Sequence, residues 1–360
     1  MHNENRWYRG RGALQNGDAV VLSRPVAGTA EEQGMAVYTE VSDEELEDFV
    51  AGYDIGEVVS CKGIAEGVEN SNYLLQTDCA SYILTLYEKR AKPADLPFFL
   101  GLMEYLANRG LPCPTPVHAR DGRALRELCG RPAAIVTLLK GMWPRRISVG
   151  HCAALGEAMA DMHVKGGGFA MARPNDLSVA GWRPLFEACR ERADEVKSGL
   201  ADIVDRELAL LERQWPTDLP SGLIHADLFP DNVFFLTDKE TRRERLSGII
   251  DFYFACNDQL AYDIAICLNA WCFEPDGSFN ATKARMMLNA YRKVRPMTAA
   301  ELDALPLLAR GSAMRFLLTR LYDWLNTPAG AFVKRKDPLE YLGKLRFHRG
   351  VTGPGAYGIA

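Results

Sequence analysis

One stretch limits what this chain can become more than any other: Leu223-Ile224-His225-Ala226-Asp227-Leu228-Phe229-Pro230-Asp231-Asn232-Val233-Phe234-Phe235. An apolar strand enters a polar loop, a second apolar strand leaves it, and the loop carries His225, Asp227 and Asn232 in the spacing H-x-D-x-x-x-x-N. A little further on, Ser247-Gly248-Ile249-Ile250-Asp251-Phe252 is another short apolar strand that ends on one carboxylate. Asp and Asn in a lone polar loop are ordinary turn residues. The second strand, at hairpin distance, adds what a turn does not need: a further hard oxygen ligand. Phosphoryl transfer to a hydroxyl asks little covalent help of a protein. It asks for Mg²⁺ to neutralise the phosphates, oxygen ligands to hold that ion, and a carboxylate to orient the attacking hydroxyl and accept its proton. Asp227 is placed to be that base, and Asn232 and Asp251 to be the ligands.

Composition narrows the setting. At 360 residues the chain can bury a sizeable core and fill two lobes. A net charge of -5 argues against nucleic acid as the main partner, which would favour a basic face. The nine cysteines are odd in number and scattered without a C-x-x-C, so they read as reduced thiols of a cytoplasmic protein. No apolar run approaches the roughly 18 residues of a membrane span, and no secretory segment is evident.

Residues 1–34 look foreign to the rest, rich in Arg, Asn and Gly with no sustained period. They are expected to be a disordered extension, or to precede a natural initiator at Met35. Ser42-Asp43-Glu44-Glu45 then signals a capping box and a helix. Strands are expected at 57–61, 72–76 and 82–87, followed by an amphipathic helix over 95–109 and an apolar strand over 131–139. The segment Gly63–Ser71 lies between the first two strands. With the downstream loop it is the expected lid over nucleotide phosphates, with Gly67, Asn70 and Ser71 closest to them. Thr137, Leu138 and Leu139 end the apolar strand, where backbone N–H and C=O groups would meet adenine. The lobe boundary is set there, giving an N-terminal lobe over 35–139 and a C-terminal lobe over 140–360. Beyond it the pattern is helical, over 148–165, 181–196, 198–214, 261–273, 280–294, 298–325 and 337–348. Strands first and helices after give an α+β, two-lobed expectation.

His225-x-Asp227…Asn232, the strand ending at Asp251, and Tyr262-Asp263 resemble the aminoglycoside-phosphotransferase and choline-kinase superfamily. The resemblance covers about residues 42–348 and implies a bilobal protein-kinase-like fold, with a small antiparallel-sheet lobe and a larger, mainly helical one. More narrowly, Gly67-Val68-Glu69-Asn70-Ser71-Asn72-Tyr73, Tyr82-Ile83-Leu84-Thr85-Leu86-Tyr87-Glu88, Gly110-Leu111-Pro112-Cys113-Pro114 and Arg320-Leu321-Tyr322-Asp323-Trp324 are similar to the bacterial homoserine kinases of this type. That likeness implies ATP and Mg²⁺ as cofactors, L-homoserine as the small-molecule substrate, a place in threonine biosynthesis, and no nucleic-acid or membrane partner. It leaves room for a homo-oligomer.

On that reading His225 belongs to the catalytic loop as the group that packs beneath it and bonds its backbone, with Asp263 as a partner. A zwitterionic substrate needs a cation for its carboxylate and an anion for its ammonium, and Arg315 or Arg320 with Asp323 are the candidates. The chain departs from the general kinase pattern at one point. The third-strand lysine that pairs ATP phosphates should lie near Thr85, and its helix glutamate near Phe98 or Phe99, and neither is present. Losing both together is coherent, because a lone buried charge costs more than no pair. Lys62, Lys89 and Arg90 are the cations left to serve the phosphates. The alternatives are a related kinase acting on choline, methylthioribose or an aminoglycoside, and a nucleotide-binding pseudokinase, which would have no need of Asp227, Asn232 and Asp251.

Overall fold

The computed structural model describes residues 39–64, 70–88, 92–327 and 335–359, so the expected extension over 1–34 lies outside the described residues. The capping box opens α1 (Asp43–Val50): Glu45 N–H donates to Ser42 Oγ while Ser42 N–H donates to Glu45 Oε2, both at 3.3 Å. Then follow β1 (Val58–Gly63), β2 (Ser71–Thr77), β3 (Ser81–Leu86), α2 (Leu96–Ala107), β4 (Arg126–Leu128) and β5 (Arg131–Thr137). The five strands form one antiparallel sheet in the order β1-β2-β3-β5-β4.

Side chains alternate across a strand, so β5 serves two cores. Ala133 and Ile135 face a small core with Leu75, Leu84 and Leu128, while Ala134 and Val136 face the large one with α2. Thr137 N–H donates to Thr115 O at 3.0 Å, and past Leu139 the linker pairs with the second lobe through Met142 and Phe235, whose N–H and C=O groups exchange bonds of 3.0 and 2.8 Å.

The second lobe runs through α3 (Val149–Lys165), α4 (Val179–Glu187), α5 (Ala193–Val196), α6 (Leu200–Gln214), β6 (Ser221–Ile224), β7 (Val233–Thr237), β8 (Glu244–Ile249), β9 (Cys256–Gln259), α7 (Leu260–Trp271), α8 (Ala281–Val294), α9 (Ala299–Asn326) and α10 (Pro338–Arg349). Two small antiparallel pairs, β6 with β9 and β7 with β8, present the loops between them at one end.

Two expectations need correction. The single helix over 181–196 is broken at Cys189 (φ −130°, ψ 0°), whose thiol is buried against the carbonyls of Leu185 and Phe186 at the end of α4. Strand β9 was not expected, because Cys256-Asn257-Asp258-Gln259 carries no β-branched or alternating signal. It forms because β6 supplies a partner edge. Among the described residues all nine cysteines are free thiols, and no helix is long and apolar enough to cross a membrane.

Candidate active site

The loop between β6 and β7 is held from below by one carboxylate. Asp263, fully buried on the first turn of α7, accepts the His225 N–H at 2.9 Å and the Ala226 N–H at 2.8 Å. His163 of α3 donates through Nε2 to the same carboxylate at 3.1 Å, and its Nδ1 meets the Tyr291 hydroxyl at 2.7 Å. Burial works to raise the Asp263 pKa, but the hydrogen bonds it accepts from His163 and from the His225 N–H hold it below the usual carboxylate value. Those bonds keep Ala226 at φ +62°, a left-handed conformation that costs a side-chain-bearing residue about 1–2 kcal/mol.

The imidazole of His225 ties the loop to the next strand. Its Nε2 lies 3.0 Å from Ile250 O and its Nδ1 3.2 Å from the Asp227 N–H, which assigns the proton to Nε2. Burial pushes its pKa down, so the ring is neutral and acts as a brace. The N–H of Ile250 donates to Asn232 O at 3.0 Å, so both backbone polar groups of Ile250 are taken by the loop between β6 and β7. Asp251 is the next residue, itself left-handed at φ +63°. Asn232 donates Nδ2 to Asp227 O at 2.8 Å, which leaves its amide oxygen as the outward acceptor. Asp227, Asn232 and Asp251 are thereby fixed relative to one another through backbone bonds.

The upper wall is different. Ile83, Thr85 and Tyr87 share the sheet face turned toward the second lobe. Thr85 donates its hydroxyl to Asn72 Oδ1 at 2.8 Å, and the Tyr87 and Tyr253 hydroxyls meet at 3.1 Å. Phe99 packs edge-on against Tyr253 at 5.7 Å, where the glutamate of the general pattern would stand. Between the walls is a cavity of about 340 Å³ whose lining includes Asn70, Asp95, Phe99, Arg173, Phe254 and Arg315.

Several sequence candidates fall elsewhere. Gly67, Lys89 and Arg90 lie outside the described residues. Asn70 reaches the cavity, but Ser71 is fully buried and donates its hydroxyl to Glu88 at 2.7 Å. Lys62 is exposed on β1. Thr137 spends its hydroxyl on the Thr115 N–H at 2.9 Å, and the Leu139 side chain packs on Gly248, leaving backbone groups as what this segment can offer. Arg315 lines the cavity and donates Nη1 to Ala226 O at 2.5 Å. Arg320 does not join it. Five residues on, it sits about 140° around the helix and pairs with Glu340 at 2.6 Å. Asp323, in the last turn of α9, is likewise not among the lining residues. Arg173 was missed by sequence reasoning, because Ala172-Arg173-Pro174 lies in a coil segment with no local signal.

This geometry has counterparts among known proteins. Residues 60–297 match the phosphotransferase enzyme family. The chain is 74% identical to the homoserine kinase of Paramagnetospirillum magneticum over 325 residues, covering 90% of this chain and 100% of that protein. The chain belongs to the homoserine kinase family. Another homoserine kinase, from Rhodospirillum rubrum, is 65% identical over 326 residues, 91% of this chain and 100% of that protein. The fold extends beyond the homoserine kinases: a choline kinase from Cryptosporidium parvum superposes with a TM-score of 0.60 at 14% identity, over 86% of this chain and 94% of that one. The two-lobed kinase-like architecture is therefore shared.

Proposed function

We propose that the chain phosphorylates the side-chain hydroxyl of L-homoserine with ATP, giving O-phospho-L-homoserine. Identity of 74% to a homoserine kinase along that protein's entire length carries the reading. The geometry supports a distribution of roles along the cleft. Asp227 orients the hydroxyl toward the γ-phosphorus and accepts its proton as the new bond forms. The braces from Asp263 and His225 keep that carboxylate's loop from moving during the step.

The donor set of Asn232 and Asp251, an amide oxygen and a carboxylate, is of the hard-oxygen kind that suits Mg²⁺. Among the described residues no cluster of three His, Cys, Asp or Glu side chains forms a closed metal cage. That suits an ion held by one or two side chains and completed by phosphate and water. Bound there, Mg²⁺ would neutralise charge on the phosphates. The backbone of 137–139 would receive adenine, and the segment ending at Asn70 would cover the phosphates, in the cytoplasm where ATP is abundant.

A coupled ADP-release assay across L-homoserine, choline, methylthioribose and an aminoglycoside tests this. Turnover with L-homoserine well above the other three is expected. Release with another acceptor and none with L-homoserine would remove the substrate assignment while leaving the kinase chemistry.

A further inference from the structure

The cavity beside the catalytic loop holds a buried cation with too few partners. Arg315 is 2% exposed, yet its guanidinium makes one hydrogen bond, to Ala226 O. Its Nε has no partner, and no carboxylate of the described residues lies within ion-pair distance. Phe316 and Phe254 flank it, with ring centres 4.6 and 5.7 Å away. Ring faces and one carbonyl compensate a buried guanidinium only in part, because five donors and a full charge have left water.

Arg173, on the same cavity, shows what a satisfied arginine looks like here. It donates Nε to Asp95 at 2.7 Å, Nη1 to Ala255 O at 3.3 Å and Nη2 to Asp176 at 3.4 Å. Lys92 completes that wall with a 2.7 Å contact to Asp176. In both carboxylates the bonds fall on Oδ2, and Oδ1 carries none among the described residues. One cavity thus has an under-partnered cation on one side and two carboxylates with spare acceptor oxygens on another. Ala226 precedes Asp227, so a ligand anchored on Arg315 starts one residue from the base. A four-carbon hydroxy-amino acid spans about 5 Å from hydroxyl to carboxylate when extended, a reach that matches such a start.

We propose that Arg315 anchors the α-carboxylate of the amino-acid substrate and that Asp176, with Asp95, receives its α-ammonium group. Arg173 and Lys92 hold those two carboxylates in place. This rests on the L-homoserine reading above and specifies how that substrate is selected.

The test uses the full chain with MgATP and three acceptors: L-homoserine, 3-aminopropan-1-ol, which lacks the carboxylate, and 4-hydroxybutyrate, which lacks the ammonium. The wild-type protein should prefer L-homoserine in kcat/KM by at least about a hundredfold over either analogue, as a site built to pair a polar group rejects a ligand without it. Arg315→Lys should raise KM for L-homoserine about tenfold or more, leave KM for ATP within about twofold, and narrow the preference over 3-aminopropan-1-ol. Asp176→Asn, at a half-exposed position that tolerates change, should narrow only the preference over 4-hydroxybutyrate. Preference ratios that stay at their wild-type values in both variants overturn the proposal. So does an Arg315→Lys variant whose KM rises for ATP instead, since the guanidinium would then serve a phosphate. A wild-type protein that releases no ADP with L-homoserine removes the substrate reading first, and this proposal with it.

Discussion

The lower and upper walls of the cleft are built on opposite principles. Below, a carboxylate is brought into the interior and given hydrogen-bond partners: Asp263, fully buried, takes two backbone N–H groups and an imidazole, and His225 spans from the loop to Ile250. Above, where a kinase would carry a strand lysine and a helix glutamate, the chain places neutral groups, Thr85 on Asn72 and Tyr87 on Tyr253. The difference teaches where precision is needed. A base and its neighbouring ligands must keep their mutual geometry, and charge-assisted hydrogen bonds to backbone are a strong way to fix a loop. The upper wall has no charge of its own at Thr85, so nothing there calls for a counter-charge, and the cost of a buried pair is avoided.

The largest expected effect lies at the base. Asp227→Asn should lower kcat by about 10²–10⁴-fold while ATP affinity, read by calorimetry, stays near the wild-type value. Near-normal turnover would break the contrast, because the lower wall would then hold no indispensable carboxylate. Next comes its support. Asp263→Ala leaves the His225 and Ala226 N–H groups and His163 without their acceptor. Removing one member of a buried charged network costs about 3–5 kcal/mol, so the urea midpoint should fall sharply and activity with it. A variant of wild-type stability and full activity would show that the loop holds its left-handed Ala226 unaided.

Much of this contrast was legible in the chain. The spacing of His225, Asp227 and Asn232 and the strand before Asp251 marked the loop and strand end that the structure ties together, because such loops are short and keep their partners close in sequence. The vacancy at Thr85 was equally visible, as a missing residue type at a countable position. What fills it was not. Tyr253 meets Tyr87 across 166 residues and also Phe99 on α2, contacts that no local period encodes. Arg173 escaped notice for the same reason, and Arg320 was grouped with Arg315 although helical geometry turns it to Glu340. Asp263 was expected as a partner of His225 beneath the loop; that its carboxylate grips two backbone N–H groups depends on α7 packing there, which no local pattern encodes.

Acid offers a smaller, graded way to separate the walls. His225 has its pKa pushed down by burial, His348 of α10 is pushed down to about 3 by burial and the charge of Lys344, and Asp263 is held low by its donors despite burial. For the two histidines the unfolded chain binds a proton that the folded chain does not, so their contribution to stability is lost as pH falls below the unfolded histidine value near 6.5, whereas the contribution of Asp263 is lost only below the unfolded carboxylate value of about 3.9. A group fully in that regime contributes about 1.4 kcal/mol per pH unit. The tyrosines of the upper wall are pushed upward, Tyr253 to about 12, and do not titrate there. The urea midpoint should therefore fall between pH 7 and pH 5, with exchange of the His225 and Ala226 amides rising ahead of those in β2 and β3. A midpoint that climbs on acidification would reverse the sign of the linkage.

The smallest effect is the sharpest probe of the upper wall. Tyr253→Phe deletes the partner of the Tyr87 hydroxyl without opening a cavity or moving a charge. Leaving one buried hydroxyl unmet costs about 1 kcal/mol, which should lower the urea midpoint slightly and change kcat by less than about tenfold. Tyr253 follows Asp251 by two residues, so its ring is close enough in sequence to report on the chemistry if the hydroxyl takes part. A loss of turnover as deep as that of Asp227→Asn would mean that the hydroxyl pair acts on the phosphates in place of the absent lysine. A small loss, confined to stability, fits a wall whose task is to close the cleft with neutral contacts and leave the charge to the loop beneath.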